Sequence, residues 1–187
     1  MTDYFAVVGL PRRPGVDENV LQENYLKRAA SWHPDAPGGD VEKFRELQDA
    51  RKILSDPAAR LRHLLALEGY ESQAGSSQAA PELFLEVAGV LEMSKSVRRR
   101  LENTRSAIGR AALVPERQRA EQRILQISGE VAARREELLN LLAREDRNWP
   151  DADFSTLEKI GKTLVFLTRW SSELRDSLFQ LQSTASP

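Results

Sequence analysis

The chain contains no cysteine and only two histidines, His33 and His63, among its 187 residues. Disulfides, cysteine-rich zinc clusters and cysteine-ligated iron–sulfur centres are therefore excluded within it, and no cofactor or metal is expected. Neither sign of charge dominates, since 27 Lys and Arg face 28 Asp and Glu for a net charge of −1. No global field draws such a chain to nucleic acid or to an anionic membrane, so a specific docking partner is the better expectation. Long apolar runs are lacking too: Leu138-Leu139 and Leu141-Leu142-Ala143 fall far short of the roughly 20 residues that span a bilayer. The opening Met1-Thr2-Asp3-Tyr4 shows no basic segment followed by an apolar one, so the chain reads as soluble and cytoplasmic.

What is present is Leu, Ala, Glu, Arg and Gln, punctuated by Gly and Pro at residues 9 to 15, 34 to 39 and 69 to 81. That pattern predicts an all-α protein. The stretch from Ser72 to Ala80 has neither large apolar residues nor charge and reads as a linker between residues 1–71 and 81–187. In the first part, Asp17 can cap a helix whose apolar residues Leu21, Tyr25, Ala29 and Trp32 recur at spacings of three and four, and Pro34 stops it. A second helix is expected from Asp40, with Phe44, Leu47, Ala50 and Leu54 on one face and Ser55-Asp56-Pro57 ending or restarting it. Leu61, Leu64, Leu65 and Leu67 form a third apolar patch. The two helices read as an antiparallel hairpin presenting His33-Pro34-Asp35 at its exposed tip.

In the second part, an apolar seam runs from Phe154 through Leu157, Ile160, Leu164, Leu167, Trp170, Leu174 and Leu178 to Leu181, the spacing of one long helix. Two earlier segments supply matching seams: 82–109, with Leu83, Val87, Val90, Val97, Leu101 and Ile108, and 115–148, with Ile124, Ile127, Val131, Leu138 and Leu142. Pro115 is placed at the start of the middle helix and Asn148-Trp149-Pro150 in the turn after it. A C-terminal three-helix bundle is the expectation.

His33-Pro34-Asp35 alone would be a turn like many others. Its flanks make it specific: Tyr4-Phe5, Gly9-Leu10-Pro11, Tyr25, and the run Phe44, Leu47, Ala50, Leu54-Ser55-Asp56-Pro57 and Arg60 together resemble the J-domain family over about seventy residues. The resemblance implies that His33, Pro34 and Asp35, with the basic Lys27 and Arg28 on the preceding helix, contact the nucleotide-binding domain of a DnaK-type chaperone and stimulate its ATP hydrolysis. Asp35 can form a charge-assisted pair with a partner arginine, Pro34 lowers the ordering cost of the loop, and Lys27 and Arg28 can speed encounter with an acidic patch. Three positions depart from the family pattern: Ala36 replaces a lysine, Arg28 an apolar residue and Arg51 a tyrosine.

Further stretches resemble HscB-type co-chaperones. These are Arg60-Leu61-Arg62-His63-Leu64-Leu65-Ala66-Leu67-Glu68-Gly69, Pro81-Glu82-Leu83-Phe84-Leu85-Glu86, and Lys162-Thr163-Leu164-Val165-Phe166-Leu167-Thr168-Arg169-Trp170. This closer resemblance implies delivery of an iron–sulfur scaffold protein of the IscU type to a DnaK-like chaperone of the HscA type, the cluster residing on the scaffold. It places the client face at Phe84, Leu85, Glu92 and Phe166, with the smaller Ala88 and Gly89 where bulkier or acidic groups are usual. An alternative is a J-domain regulator whose bundle binds a different client or serves as a scaffold.

Other readings are weaker. His33 and Asp35 could be an acid–base pair, but no nucleophile or second carboxylate is fixed beside them by sequence, and an enzyme is not expected. His63 is read as part of the domain junction. Trp170, Leu164 and Leu167 lie on the seam and read as core, whereas Phe166 lies off it. The basic run Arg98-Arg99-Arg100, flanked by Glu92 and Glu102, reads as a solvated helix face rather than a nucleic-acid site.

Overall fold

A computed structural model of the chain describes residues 1–71 and 81–184. The expected linker at 72–80 lies outside the described residues. Among the described residues every regular element is a helix: α1 (Tyr4–Val8), α2 (Glu18–Trp32), α3 (Val41–Ser55), α4 (Pro57–Leu67), α5 (Pro81–Asn103), α6 (Ala107–Arg147) and α7 (Phe154–Ser183). None is long and apolar enough to cross a membrane. The chain falls into two compact units, one from Met1–Ser76 with Leu138–Leu164, the other from Ser77–Glu137 with Val165–Pro187.

Aspartates start each of the helices α1 to α4. The carboxylates of Asp3, Asp17, Asp40 and Asp56 each accept backbone N–H groups of the first turn, satisfying donors that an α-helix leaves unpaired. Pro57 at the first position of α4 needs no partner for a missing N–H, so Asp56-Pro57 both ends α3 and restarts the chain as α4. α1 carries no periodicity visible in sequence because it has only five residues, and Gly9, at φ 77°, ends it in the left-handed conformation. Phe5 and Val8 of α1 are fully buried with Leu47, Ala50 and Leu54 of α3, Leu21 of α2 and Leu64 of α4. Tyr25, Ala29, Trp32, Leu67 and Trp149 close over that core. Burying a side chain such as Phe5 is worth about 1.5–3 kcal/mol, enough to hold a five-residue helix that could not persist alone.

In the second unit the expected seams are mostly met. Val87, Val90, Val97 and Leu101 of α5, Ile124, Ile127 and Val131 of α6, and Leu167, Trp170, Leu174 and Leu181 of α7 are buried. Ser177 of α7 donates to Ser94 of α5 at 2.6 Å, and Arg123 of α6 pairs with Glu86 of α5 at 2.9 Å, so α5 is tied to both other helices.

The boundary between α5 and α6 corrects the sequence reading. α5 ends at Asn103, α6 starts at Ala107, and Pro115 lies inside α6 rather than at its start. Ser106 caps the new start, its hydroxyl accepting the Gly109 N–H at 3.1 Å. Pro115 and Ala111 are both exposed, where the carbonyl that loses its helical donor can be hydrated. Ile108, expected on the α5 seam, is instead in the first turn of α6 and is 85% exposed.

Candidate docking sites

The loop after α2 is built by successive tight turns. The His33 N–H donates to Ala29, Ala36 to His33, Gly39 to Ala36, and Asp40 back to Trp32, so the loop closes on the end of the helix it leaves. A side chain at Gly39 would overlap the His33 carbonyl, and Gly38 sits at φ 79°, so two glycines permit the closure. Asp40 then caps α3, its carboxyl held below the usual range by the Lys43 amide and ammonium.

Within this loop the His33 ring stands edge-on to Phe44 of α3, with centroids 5.0 Å apart. Its Nδ1 accepts the Asp35 N–H at 3.2 Å. A nitrogen accepting an amide proton carries none of its own, so the 3.6 Å approach of Asp35 Oδ2 to Nδ1 is not an ion pair in this arrangement. The Asp35 side chain is 91% exposed and its carboxylate keeps its acceptor capacity. His33 thus shapes the loop, and Asp35 faces outward.

The two cations of α2 differ. Lys27 is exposed and makes no ion pair among the described residues. Arg28 is half-buried, with its guanidinium 5.4 Å from the Trp32 ring centre and its tip against Gly9 at the end of α1. Arg51 lies over Tyr25, with 4.4 Å between guanidinium carbon and ring centre. Both unexpected arginines therefore use flat cationic faces where the family pattern has apolar or aromatic packing.

Behind the hairpin, the segment leading into α2 is held by groups that no local signal marks. Arg60, only 5% exposed, donates to the carbonyls of Pro14 at 2.8 Å and Leu54 at 2.6 Å. Burial pushes its basicity down, while Glu18, Asp56 and Asp146 offset that. Asp146, at the end of α6, takes Arg13 through both carboxylate oxygens at 2.9 and 2.7 Å and accepts the Gly15 N–H at 2.7 Å. His63 is buried against Tyr4 and Phe5, and its Nε2 accepts the Tyr4 N–H at 3.2 Å, one of the free donors at the start of α1. Burial lowers the His63 pKa below its usual 6.5, with Asp3 opposing and Arg12 assisting. Burial alone would raise the neighbouring Asp3 carboxyl, but Arg12 and the Ala6 and Phe5 amides outweigh it and hold it below the ordinary range.

In the second unit, Phe84 of α5 and Phe166 of α7 flank the buried Trp170, each ring 6.1 Å from the indole and tilted to it. Phe84 is 53% and Phe166 37% exposed, so one core tryptophan carries two surface aromatics. Trp170 read as core in the sequence, and it is also the platform of this face. Leu85, Ala88, Gly89 and Glu92 follow one another at helical spacing on α5, all exposed. A Cβ at Gly89 would meet nothing within 4 Å, so the stripe between Leu85 and Glu92 is open.

Comparison with known proteins accords with this geometry. Residues 3–63 match the DnaJ domain. The chaperone protein DnaJ of Hyphomonas neptunium is 46% identical over 61 residues, which are 31% of this chain and 15% of that protein. The chain spans only 13–16% of the length of such J-domain relatives. A co-chaperone protein HscB homolog of Azoarcus sp. (strain BH72) is 29% identical and aligns over 97% of this chain and 96% of its own length. Among solved structures, the chaperone HscB from Vibrio cholerae superposes with a TM-score of 0.63 at 20% identity, covering 96% of this chain and 99% of that one, and so shares the fold.

The hairpin, its tip motif and the DnaJ match define residues 3–63 as a J-domain. Over nearly its full length the chain is similar to the HscB-type J-domain co-chaperones.

Proposed function

We propose that the protein stimulates ATP hydrolysis by a DnaK/HscA-type chaperone through His33, Pro34 and Asp35, with Lys27 steering the encounter, and delivers to it an IscU-like iron–sulfur scaffold protein. The observation that carries the reading is the outward Asp35 carboxylate on a loop pinned by the His33–Phe44 and His33–Asp35 contacts. A preorganised, unpaired carboxylate can take a partner guanidinium bidentately, and little ordering entropy opposes docking. Arg28 contributes by placing its guanidinium beside Trp32 of its own helix and against Gly9 at the end of α1, which ties α2 to α1. Phe84 and Phe166 around Trp170 form the client face, extended by Leu85 and Glu92; exposed aromatics on a rigid platform are what a protein partner can bury. The domain division at residues 1–71 and 81–187 and a cytoplasmic location belong to this proposal.

The open stripe at Ala88 and Gly89 favours keeping a second reading, in which the bundle carries a client other than an IscU-like scaffold. The deciding measurement is the single-turnover ATPase rate of a DnaK-type chaperone from the same organism, with the wild-type protein and with Asp35→Asn, each with and without an IscU-like scaffold. Losing the charge-assisted pair should weaken chaperone affinity by about 10- to 100-fold. Stimulation lost in Asp35→Asn together with synergy from the scaffold supports both halves. Stimulation without synergy transfers the bundle to the second reading, and equal stimulation by both proteins rejects the tip.

A further inference from the structure

Residues 95–119, which end α5 and begin α6, hold eight basic and two acidic residues, a local excess of six positive charges on a chain whose net charge is −1. The two acids are already engaged: Glu102 pairs with Arg98 and Glu116 with Arg100. Lys95, Arg99, Arg105 and Arg119 are exposed and make no ion pair among the described residues. This local field is hidden in the sequence by the near-zero net charge.

The connection between the helices is tied by three hydrogen bonds. Thr104 donates its hydroxyl to the Arg100 carbonyl at 2.6 Å, Arg110 donates to the Thr104 carbonyl at 3.0 Å, and Ser106 caps α6. On this turn, Ile108 is 85% exposed, and Ala107, Ala111, Ala112, Val114 and Pro115 beside it are exposed as well. The first two turns of α6 thus offer a small apolar surface within the basic cluster.

We propose that this α5–α6 apex docks on an anionic lipid surface. The chemistry of the apex selects that partner. Single-stranded nucleic acid is bound on aromatic stacking platforms, and no aromatic residue lies between Phe84 and Trp149. A protein interface is anchored by large aromatic or Met side chains, whereas the apex offers Ile, Val, Pro and Ala. A lipid surface asks only for clustered positive charge and a shallow apolar insertion, and the apex supplies both. The inference is independent of the chaperone tip, which lies in the other unit.

The test is sedimentation of the full chain with phosphatidylcholine vesicles and with vesicles containing phosphatidylglycerol, at low and high salt. Binding to the anionic vesicles alone, lost at high salt, is expected. With a contribution of roughly fivefold per surface-bound cation, Arg99→Glu combined with Arg105→Glu should weaken partition about 25-fold or more. Ile108→Ser should weaken it by up to about tenfold. Thermal unfolding and chaperone stimulation, unchanged in both variants, exclude a folding defect. Equal binding to both vesicle types, or no effect of the charge reversals, overturns the proposal. So does a duplex DNA bound as tightly as the anionic vesicles by both the wild type and Ile108→Ser, because phosphate charge alone would then account for the cluster.

Discussion

Asp146 and Gly15, 131 residues apart in the chain, meet so closely that the Gly15 N–H donates to the carboxylate at 2.7 Å, and a Cβ on Gly15 would stand 2.7 Å from the same group. The carboxylate also holds Arg13 in a two-pronged pair. One acidic side chain at the end of α6 thereby sets the path of the segment that delivers Asp17, the cap of α2.

Asp146→Ala is expected to destabilise the protein by about 1–3 kcal/mol, since a backbone donor and a guanidinium both lose a charged acceptor. Arg13→Ala should cost less, about 0–1 kcal/mol, because Arg13 is half exposed and solvent screens its pair. Urea midpoints of the two variants distinguish them, and equal losses would mean that the Gly15 amide contributes nothing.

Gly15→Ala should be harmful in the wild type and markedly less so in an Asp146→Ala background, where the obstructing carboxylate is gone. A double-mutant cycle measures the coupling, expected at about 1 kcal/mol or more for groups in direct contact. Additive losses would assign the glycine requirement to something other than Asp146.

Arg51→Ala should cost about 0.5–1 kcal/mol through the lost stacking on Tyr25. Because the contact is with a ring face and not a carboxylate, the loss should persist at high salt more than that of Arg13→Ala does. Denaturation curves at two salt concentrations provide the comparison.

Stability should fall as the pH drops below 6.5. Burial depresses the His63 pKa in the folded state. Between that lowered value and the ordinary 6.5 the unfolded chain binds a proton that the folded chain does not, so stability rises with pH across this window. His63→Gln, which can still accept from the Tyr4 N–H, should flatten the dependence there while leaving the acid unfolding below about pH 4 that reflects carboxylates such as Asp3. An unchanged slope in His63→Gln would assign the dependence to another group.

On the proposed client face, Phe84→Ala and Phe166→Ala should weaken client binding by about 1–2 kcal/mol each, with the smaller loss of stability at Phe84, which is 53% exposed against 37% for Phe166. Trp170→Ala should lose about 3–5 kcal/mol of stability as well as binding, because the indole is 5% exposed. Calorimetric titration with the scaffold, beside thermal unfolding, separates the two effects.

Much of this was legible in residue order. The helix starts at Asp17 and Asp40 and the seams of α3 and α7 could be read because capping and periodicity are local properties, whereas the five-residue α1 behind Asp3 was not foreseen. The tip was legible through its motif and the spacing of its flanks. The α5–α6 boundary was misplaced because Pro115 reads as a helix start, and an exposed proline within a 41-residue helix is tolerated only when the freed carbonyl faces water.

Residue order by itself determined the all-α class, the hairpin with His33-Pro34-Asp35 at its end, and which faces are apolar. Only the tertiary structure decided that Arg60 is buried on two carbonyls, that Arg28 and Arg51 lie on aromatic rings, that Asp146 grips Arg13 and Gly15, and that Trp170 joins Phe84 to Phe166. The reason is physical: an arginine or a carboxylate looks the same in sequence whether solvated or paired, and its partner is chosen by packing between segments far apart in the chain.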